Sequence, residues 1–153
     1  PIVLDQDSQP GNIQLNEEGQ VIFLDHEYEK VSPIVYEMES LLEYFPGLSK
    51  EFKLEVIGTF IDRYEVRSRR RIDRDQFLLG YANAAIIRAL ERAPNFTDER
   101  EHMRIAQINN ALSWIDEIEE SFPEYYVSNR DKYAALEDAL DGLLIEWGYS
   151  VAL

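Results

Sequence analysis

Apolar residues recur at helical spacing over most of the chain that follows residue 32. The first stripe occupies offsets of 0, 4, 7, 8 and 11 and consists of Ile34, Met38, Leu41, Leu42 and Phe45. Such spacing is typical of one face of a helix. Ser32 as N-cap and Pro33 in the first turn predict where this helix begins, and Pro46-Gly47 predicts its end.

Four further helices are predicted by the same pattern. Ser49 caps the second helix, whose predicted inward face is Phe52, Val56, Phe60 and Tyr64. Asp73 caps a third helix that runs from Phe77 to Leu90. This helix is apolar on most sides, around Tyr81, Ala84, Ala85 and Ile86. Because a helix that is apolar all round is normally buried, the third helix is expected in the middle of a bundle.

The last two helices occupy the final third of the chain. Thr97, with Asp98 and Glu99, opens the fourth, and Pro123 stops it. Its predicted inward face is Ile105, Ile108, Leu112 and Ile115. Asn129 opens the fifth helix, and Gly148 follows its end. The predicted inward face of this helix is Tyr133, Leu136, Leu140, Leu143, Leu144 and Trp147.

Residues 1–31 have a different pattern, that of short strands. The β-branched and aromatic run at residues 21–24 follows a turn at residues 16–19, and an apolar run precedes that turn. A β-hairpin is therefore predicted here. The predicted fold class is α+β and mostly helical: a short hairpin followed by about five helices, in a single domain over residues 1–153. Residues 1–31 would form its loop and hairpin part, and residues 32–153 its helical subdomain.

Three polar side chains surround the predicted hairpin. Asp7 and Asn12 lie five residues apart before it, and Asp25 follows it directly. Phosphoryl transfer depends mainly on positioning the nucleophile and on neutralising phosphate charge with metal ions. Asp7 suits the carboxylate that faces an attacking hydroxyl, and Asn12 and Asp25 supply the oxygen ligands that Mg²⁺ prefers. Pro10-Gly11 favours a turn, so that both ends of the loop would point into one cavity.

At these residues the sequence resembles the second half of the aminoglycoside phosphotransferase and choline kinase superfamily. That family has a catalytic loop His-x-Asp-x-x-x-x-Asn, which Asp7 and Asn12 match, and a metal-binding aspartate, which Asp25 matches. Residues 32–38 resemble its Pro-x-x-Tyr-Asp-Leu segment, with Glu37 in place of Asp. The resemblance implies a protein-kinase-like C-lobe that uses Mg²⁺ and ATP or another nucleoside triphosphate, with Asp7 catalytic and with Asn12 and Asp25 as metal ligands.

The sequence departs from the family in two respects. Asp5 stands where the family has its loop histidine, which removes an imidazole and places a second carboxylate near Asp7. Kinases of this type also need an N-terminal lobe, and nothing precedes Pro1, so this chain is expected to be inactive alone. Asp5, Glu27 and Glu37 are possible supporting residues, although Glu27 fits a solvated loop carboxylate better than a third metal ligand.

Composition restricts the partners. The net charge is -15, which argues against nucleic acid, since binding phosphates needs a basic surface. It favours a small cationic hydroxyl acceptor, such as an aminoglycoside or another amino alcohol, or a basic protein partner. Cysteine is absent, so disulfides and thiolate chemistry are excluded. No apolar run reaches ~20 residues and no secretory signal is present, so a cytoplasmic protein without a membrane span is expected.

Two other interpretations remain open. The chain could be an acidic helical binding or inhibitor protein for a basic partner, which the charge alone supports. It could also be a non-catalytic kinase-like scaffold, which Asp5 suggests. The basic run at residues 67–71 fits cations that complement a helix dipole and pair with nearby carboxylates; a phosphate-binding or nuclear-targeting role is the alternative. The acidic clusters at residues 98–101 and 116–120 fit solvated helix faces, or the lining of a pocket for a cation.

Overall fold

The structure is a computed structural model that is mostly helical. It describes residues 2–5, 13–23, 30–43, 47–95 and 101–149, with side chains at residues 15–20, 33–43, 47–95 and 101–149. The prediction of a mostly helical chain is confirmed within these residues. The chain divides into two compact units, Pro1–Tyr81 and Ala82–Leu153. The boundary between the two units falls inside a helix. The prediction of a single domain stays a prediction.

The first unit contains two pairs of short antiparallel strands. Strand β1 (Ile2–Asp5) pairs with β4 (Lys30–Pro33), and β2 (Ile13–Leu15) pairs with β3 (Val21–Phe23). The connection between β2 and β3 is a tight turn in which Gly19 has a φ of 73°. Such a positive φ favours glycine. The backbone N–H of Gln20 donates to the Asn16 side chain over 2.8 Å, which closes the turn.

The predicted start of the first helix is wrong. Ser32 and Pro33 belong to β4, where they pair with Val3 and Ile2, and helix α1 (Ile34–Glu43) begins one residue later. A proline fits the end of a strand because it has no N–H to donate to a ladder. The predicted inward face of this helix is partly correct, since Ile34, Met38 and Leu42 are buried. Leu41 is half-buried, and Phe45 lies outside the described residues.

Two predicted helix caps are confirmed. Helix α2 (Lys50–Ser68) begins after Ser49, whose hydroxyl accepts a hydrogen bond from the Phe52 N–H over 3.3 Å. Helix α3 (Arg74–Arg92) begins after Asp73, whose carboxylate accepts from the Gln76 N–H over 3.0 Å. Each cap satisfies a backbone donor that the first helical turn cannot pair internally.

The buried face of α2 lies about one residue away from the predicted one. Lys53, Ile57 and Ile61 are buried, whereas Phe52, which was predicted to face inward, is 48% exposed. The other predicted positions, Val56, Phe60 and Tyr64, are half-buried, so the predicted stripe lies at the edge of the buried face, about one residue (100°) from its centre. The apolar periodicity did not predict this buried face because the face carries a lysine, and an apolar pattern contains no charged residue.

The buried lysine belongs to a polar cluster that joins three helices of the first unit. Lys53 Nζ lies 2.5 Å from Glu43 Oε2, and the Tyr81 hydroxyl donates to Glu43 Oε1 over 2.6 Å. Glu43 is the last residue of α1, and both of its carboxylate oxygens thereby have partners. All three side chains are at most 3% exposed. Glu39, one turn earlier on α1, is also fully buried. A buried charge is tolerated only when it is paired and hydrogen-bonded.

The second unit is built from helices alone in its described part. It holds the remainder of α3, a 3-10 turn (Ala93–Asn95), and helices α4 (Glu101–Ser121), α5 (Pro123–Ser128) and α6 (Arg130–Glu146). Its largest fully buried side chains are Trp114, Ile86, Ile108, Ile115, Ile118 and Leu140. Pro123 ends α4 as predicted, but it also opens the short helix α5, which the apolar pattern did not predict.

The predicted inward faces are largely confirmed in this unit. Ile108 and Ile115 are buried on α4, as are Tyr133, Leu140 and Leu144 on α6; the other predicted positions are half-buried. The Tyr133 ring stacks on Tyr126 with centroids 5.4 Å apart, and its hydroxyl donates to Asn83 over 2.9 Å. Burial, the largest cause, raises the pKa of the Tyr133 hydroxyl. Gly148 follows α6 with a φ of 84°, as a helix C-terminus requires.

Replacing Lys53 with methionine tests the buried cluster. Lys53→Met leaves the Glu43 carboxylate buried without its cation, so we expect the free energy of unfolding in urea to fall by about 3 kcal/mol. The same change at the exposed Lys132 is the matched control and should cost less than about 0.5 kcal/mol.

A second variant separates lost charge pairing from lost packing. The double variant, Lys53→Met with Glu43→Gln, carries neither charge of the pair. Its glutamine side-chain oxygen can still accept a hydrogen bond from the Tyr81 hydroxyl. We expect this double variant to recover more than half of the stability lost in the single variant. Equal losses at Lys53 and Lys132 would contradict the role assigned to the cluster.

Candidate functional site

The predicted catalytic and metal-binding residues fall outside the described part of the structure. Asp7, Asn12, Asp25 and Glu27 all lie there. Asp5 is the last residue of β1, where only its backbone is described, and Glu37 is half-buried in the first turn of α1. Within the described residues, no three or more histidine or acidic side chains form a group that could hold a metal. The magnesium site therefore stays a prediction.

The strand register places the described neighbours of these residues opposite one another. Asp5, two residues before Asp7, pairs with Lys30. Ile13, which directly follows Asn12, pairs with Phe23, two residues before Asp25. Segment 6–12 connects Asp5 to Ile13, and segment 24–29 connects Phe23 to Lys30. The residues that flank the two segments are therefore paired with one another across the strands.

A groove of about 440 Å³ lies on the first unit. It is bordered by the junction of β4 with α1, the last turns of α2, the loop from α2 to α3, and the first turn of α3. The residues that line it are Pro33, Ile34, Val35, Tyr64, Arg70, Arg71, Ile72, Asp73, Gln76 and Phe77. A volume of a few hundred Å³ is typical of sites for small molecules.

Aromatic rings support one wall of the groove. Phe60 on α2 lies between Tyr64 and Phe77, with centroid distances of 6.0 Å and 5.9 Å. Aromatic pairs at such separations are favourable beyond the area they bury. The two rings that line the groove thus share a packing contact with Phe60.

Arginine is concentrated beside this groove. Six of the chain's 15 lysines and arginines fall between residues 63 and 74. Arg74 pairs with Asp62 and lies 4.0 Å from Glu65. The predicted pairing of the run 67–71 with carboxylates is wrong within the described residues, where none of its arginines forms an ion pair. The predicted dipole role is confirmed for Arg67 only, in the last turn of α2.

The loop that carries Arg70 and Arg71 is anchored at both ends. Arg69 ends α2 in the left-handed region with a φ of 56°, which reverses the chain direction. The Ile72 N–H then donates to Glu65 Oε1 over 2.8 Å. Two residues between these anchors, Arg70 and Arg71, reach the groove lining. Their position is therefore built by local hydrogen bonds and by an unusual backbone conformation.

Carboxylates converge in the second unit instead. Burial raises the pKa of Glu137 on α6, and the negative charges of Asp116 and Glu119 on α4 and of Asp141 and Asp138 on α6 raise it further. Asp116, Glu119 and Glu120 of the predicted cluster at residues 116–120 are exposed, as expected of a solvated face, and the charges of Asp116 and Glu119 also raise the pKa of Glu137. A positive charge near Glu137 would relieve this repulsion.

Sequence reasoning missed the groove because residues 33–35 are about thirty positions away from residues 64–77. One signal was available, namely a basic run in a strongly acidic chain. Nothing in the apolar pattern indicated that Lys53 is buried.

Comparisons with protein-family models, with curated proteins and with solved structures give no match for this chain. Among the described residues, no helix combines the length and the apolar character needed to cross a membrane.

The crowded carboxylates predict a pH-dependent stability. The pKa of folded Glu137 lies above its ordinary value of 4.5, so the folded state keeps this proton to a higher pH than the unfolded state. The contribution of Glu137 to stability is therefore largest below pH 4.5 and is lost as the pH rises through the folded pKa. We expect Glu137→Gln to raise the Tm by about 2 °C at pH 7, and by less at about pH 4.

The control for this measurement is Glu55→Gln. Glu55 is an exposed carboxylate in the middle of α2, and its replacement should leave the difference in Tm between the acidic and the neutral pH unchanged. A lower Tm for Glu137→Gln at neutral pH would show that the Glu137 charge stabilises the fold and would contradict the interpretation.

Proposed function

We propose that this chain is the C-terminal lobe of an ATP-dependent phosphotransferase. The acceptor would be a hydroxyl of a small cationic molecule, such as an aminoglycoside or another amino alcohol. Asp7 would orient the hydroxyl and accept its proton, while Asn12 and Asp25 would hold Mg²⁺. The metal, when bound, neutralises charge on the nucleotide phosphates.

The strand register is the observation that supports this proposal most. Asp5 pairs with Lys30, and Ile13 pairs with Phe23. The residue that flanks each end of segment 6–12 is therefore paired with a residue that flanks segment 24–29. A catalytic carboxylate and a metal site must share one cavity, and this register is compatible with that need.

The proposed phosphotransferase departs from the family pattern at the residues that the sequence shows. Asp5 replaces the loop histidine, so turnover is expected to be weakened. Glu27 and Glu37 are kept as supporting carboxylates only. The upstream lobe that would cover the nucleotide is part of the proposal, as is a cytoplasmic location, where ATP is available.

One observation favours a second candidate function, an acidic binding protein for a basic partner. The carboxylates around Glu137 raise its pKa, and a cationic partner would lower that cost. On that interpretation the order of Asp7, Asn12 and Asp25 is a coincidence. A non-catalytic kinase-like scaffold would bind neither the metal nor the nucleotide through Asp25.

Metal-dependent nucleotide binding tests the proposal. We expect ATP to bind this chain in the presence of Mg²⁺, and Asp25→Ala to weaken binding at least tenfold, about 1.4 kcal/mol, in isothermal titration calorimetry. The reason is that Asp25 supplies a charged ligand to the metal, whereas Asp7 faces the acceptor. Asp7→Asn should therefore leave nucleotide binding within about threefold of the wild type.

Glu17→Ala is the matched control for Asp25→Ala. It removes an exposed carboxylate from the turn between β2 and β3 and should leave binding unchanged. Two results would overturn the proposal: equal binding by the Asp25→Ala and Glu17→Ala variants, or tight capture of a basic protein by a chain that binds no nucleotide.

A further inference from the structure

We propose that the groove beside the loop from α2 to α3 binds a small anion carried on an aromatic body. None of its lining residues belongs to the proposed catalytic loops, and its ligand has the opposite charge to the proposed acceptor. The ligand class is an aryl phosphate or an aryl carboxylate.

The two arginines of the groove supply the anion-binding chemistry. Arg70 and Arg71 line it, both are exposed, and neither forms an ion pair with a described residue. Guanidinium groups bind phosphate and carboxylate oxygens through pairs of parallel hydrogen bonds. Asp73 also lines the groove, but its Oδ1 already accepts from the Gln76 N–H. The lining therefore keeps a net positive charge in a chain whose net charge is -15.

The aromatic wall defines the rest of the ligand. Tyr64, which is half-buried, and Phe77, which is 5% exposed, line the groove, and Phe60 packs against both rings. A flat apolar body can stack on such rings, and an arginine can bind its anionic group at the same time. Inorganic phosphate would use the arginines but not the rings, so it should bind more weakly than an aryl phosphate.

The groove lining and the residues that flank the motif segments belong to opposite ends of one strand pair. Pro33, which borders the groove, pairs with Ile2 at one end of the β1–β4 ladder. Asp5 and Lys30, which flank the motif segments, form the other end of that ladder. The two ends are separated by the length of the strand, which is about 10 Å. No residue of the motif segments 6–12 and 24–29 belongs to the groove lining.

Binding of phenyl phosphate to the full chain tests the proposal. We expect saturable shifts in ¹H–¹⁵N spectra at the backbone amides of Tyr64, Ile72 and Phe77. Arg70→Gln with Arg71→Gln should weaken binding at least tenfold, because both guanidinium groups are then lost. Benzoate is the second probe, and its affinity relative to that of phenyl phosphate shows which anionic group the groove prefers. Either order of the two affinities supports a site for an anion carried on an aromatic ring.

Three controls separate the groove from a general charge effect. Arg67→Gln removes a cation from the same basic segment but outside the groove lining, and Arg130→Gln does so in the second unit. Each should change the affinity less than twofold. Benzyl alcohol, which keeps the ring and loses the anion, should bind at least tenfold more weakly than phenyl phosphate.

The outcomes decide the proposal in either direction. It is overturned if phenyl phosphate does not bind, if the double variant binds as tightly as the wild type, or if Arg67→Gln weakens binding as much as the double variant does. It is also overturned if inorganic phosphate binds as tightly as phenyl phosphate, since the rings would then contribute nothing. Unchanged binding in the Asp25→Ala variant would confirm that the groove is independent of the proposed metal site.

Discussion

The first unit depends on one buried carboxylate. Glu43 at the end of α1 accepts from Lys53 on α2 and from Tyr81 on α3, so three helices meet at a single charged group. Removing Lys53 takes a buried cation away from Glu43, and removing Tyr81 takes away a hydrogen-bond donor, so the arrangement is specific as well as stable. The same two helices, α2 and α3, carry Tyr64 and Phe77.

Local signals in the sequence predicted where α2, α3 and α6 begin, while packing decided which faces are buried. Ser49 and Asp73 are caps because short polar side chains satisfy the free N–H groups of a first turn, an effect confined to about four residues. The face of α2 could not be predicted in the same way, because the identity of Lys53 as a buried residue depends on Glu43, ten positions earlier. Ser32 was misassigned because its partner in the ladder, Val3, is distant in sequence.

The candidate sites differ in how far the sequence could reach them. The order of Asp7, Asn12 and Asp25 is a linear motif, so the sequence alone is enough to predict a chemistry for it, and the strand register is compatible with that prediction. The groove is assembled from β4, α2 and α3, and only its arginines had a sequence signal. Charge is also divided along the chain: arginines that pair with no described carboxylate lie beside the groove in the first unit, and crowded carboxylates surround Glu137 in the second. Net charge alone therefore describes neither site.

The central claim is that two loops flanked by the paired strands form one metal site. Titration with Mn²⁺, whose unpaired electrons broaden the signals of nearby amides, tests it most directly. We predict that the amides of Asp5, Ile13, Phe23 and Lys30 broaden first, at substoichiometric metal, and that this loss is reversed by excess Mg²⁺. Broadening that begins instead around Asp116 and Glu137 would show that the metal binds the acidic helix pair, and it would contradict the phosphotransferase proposal.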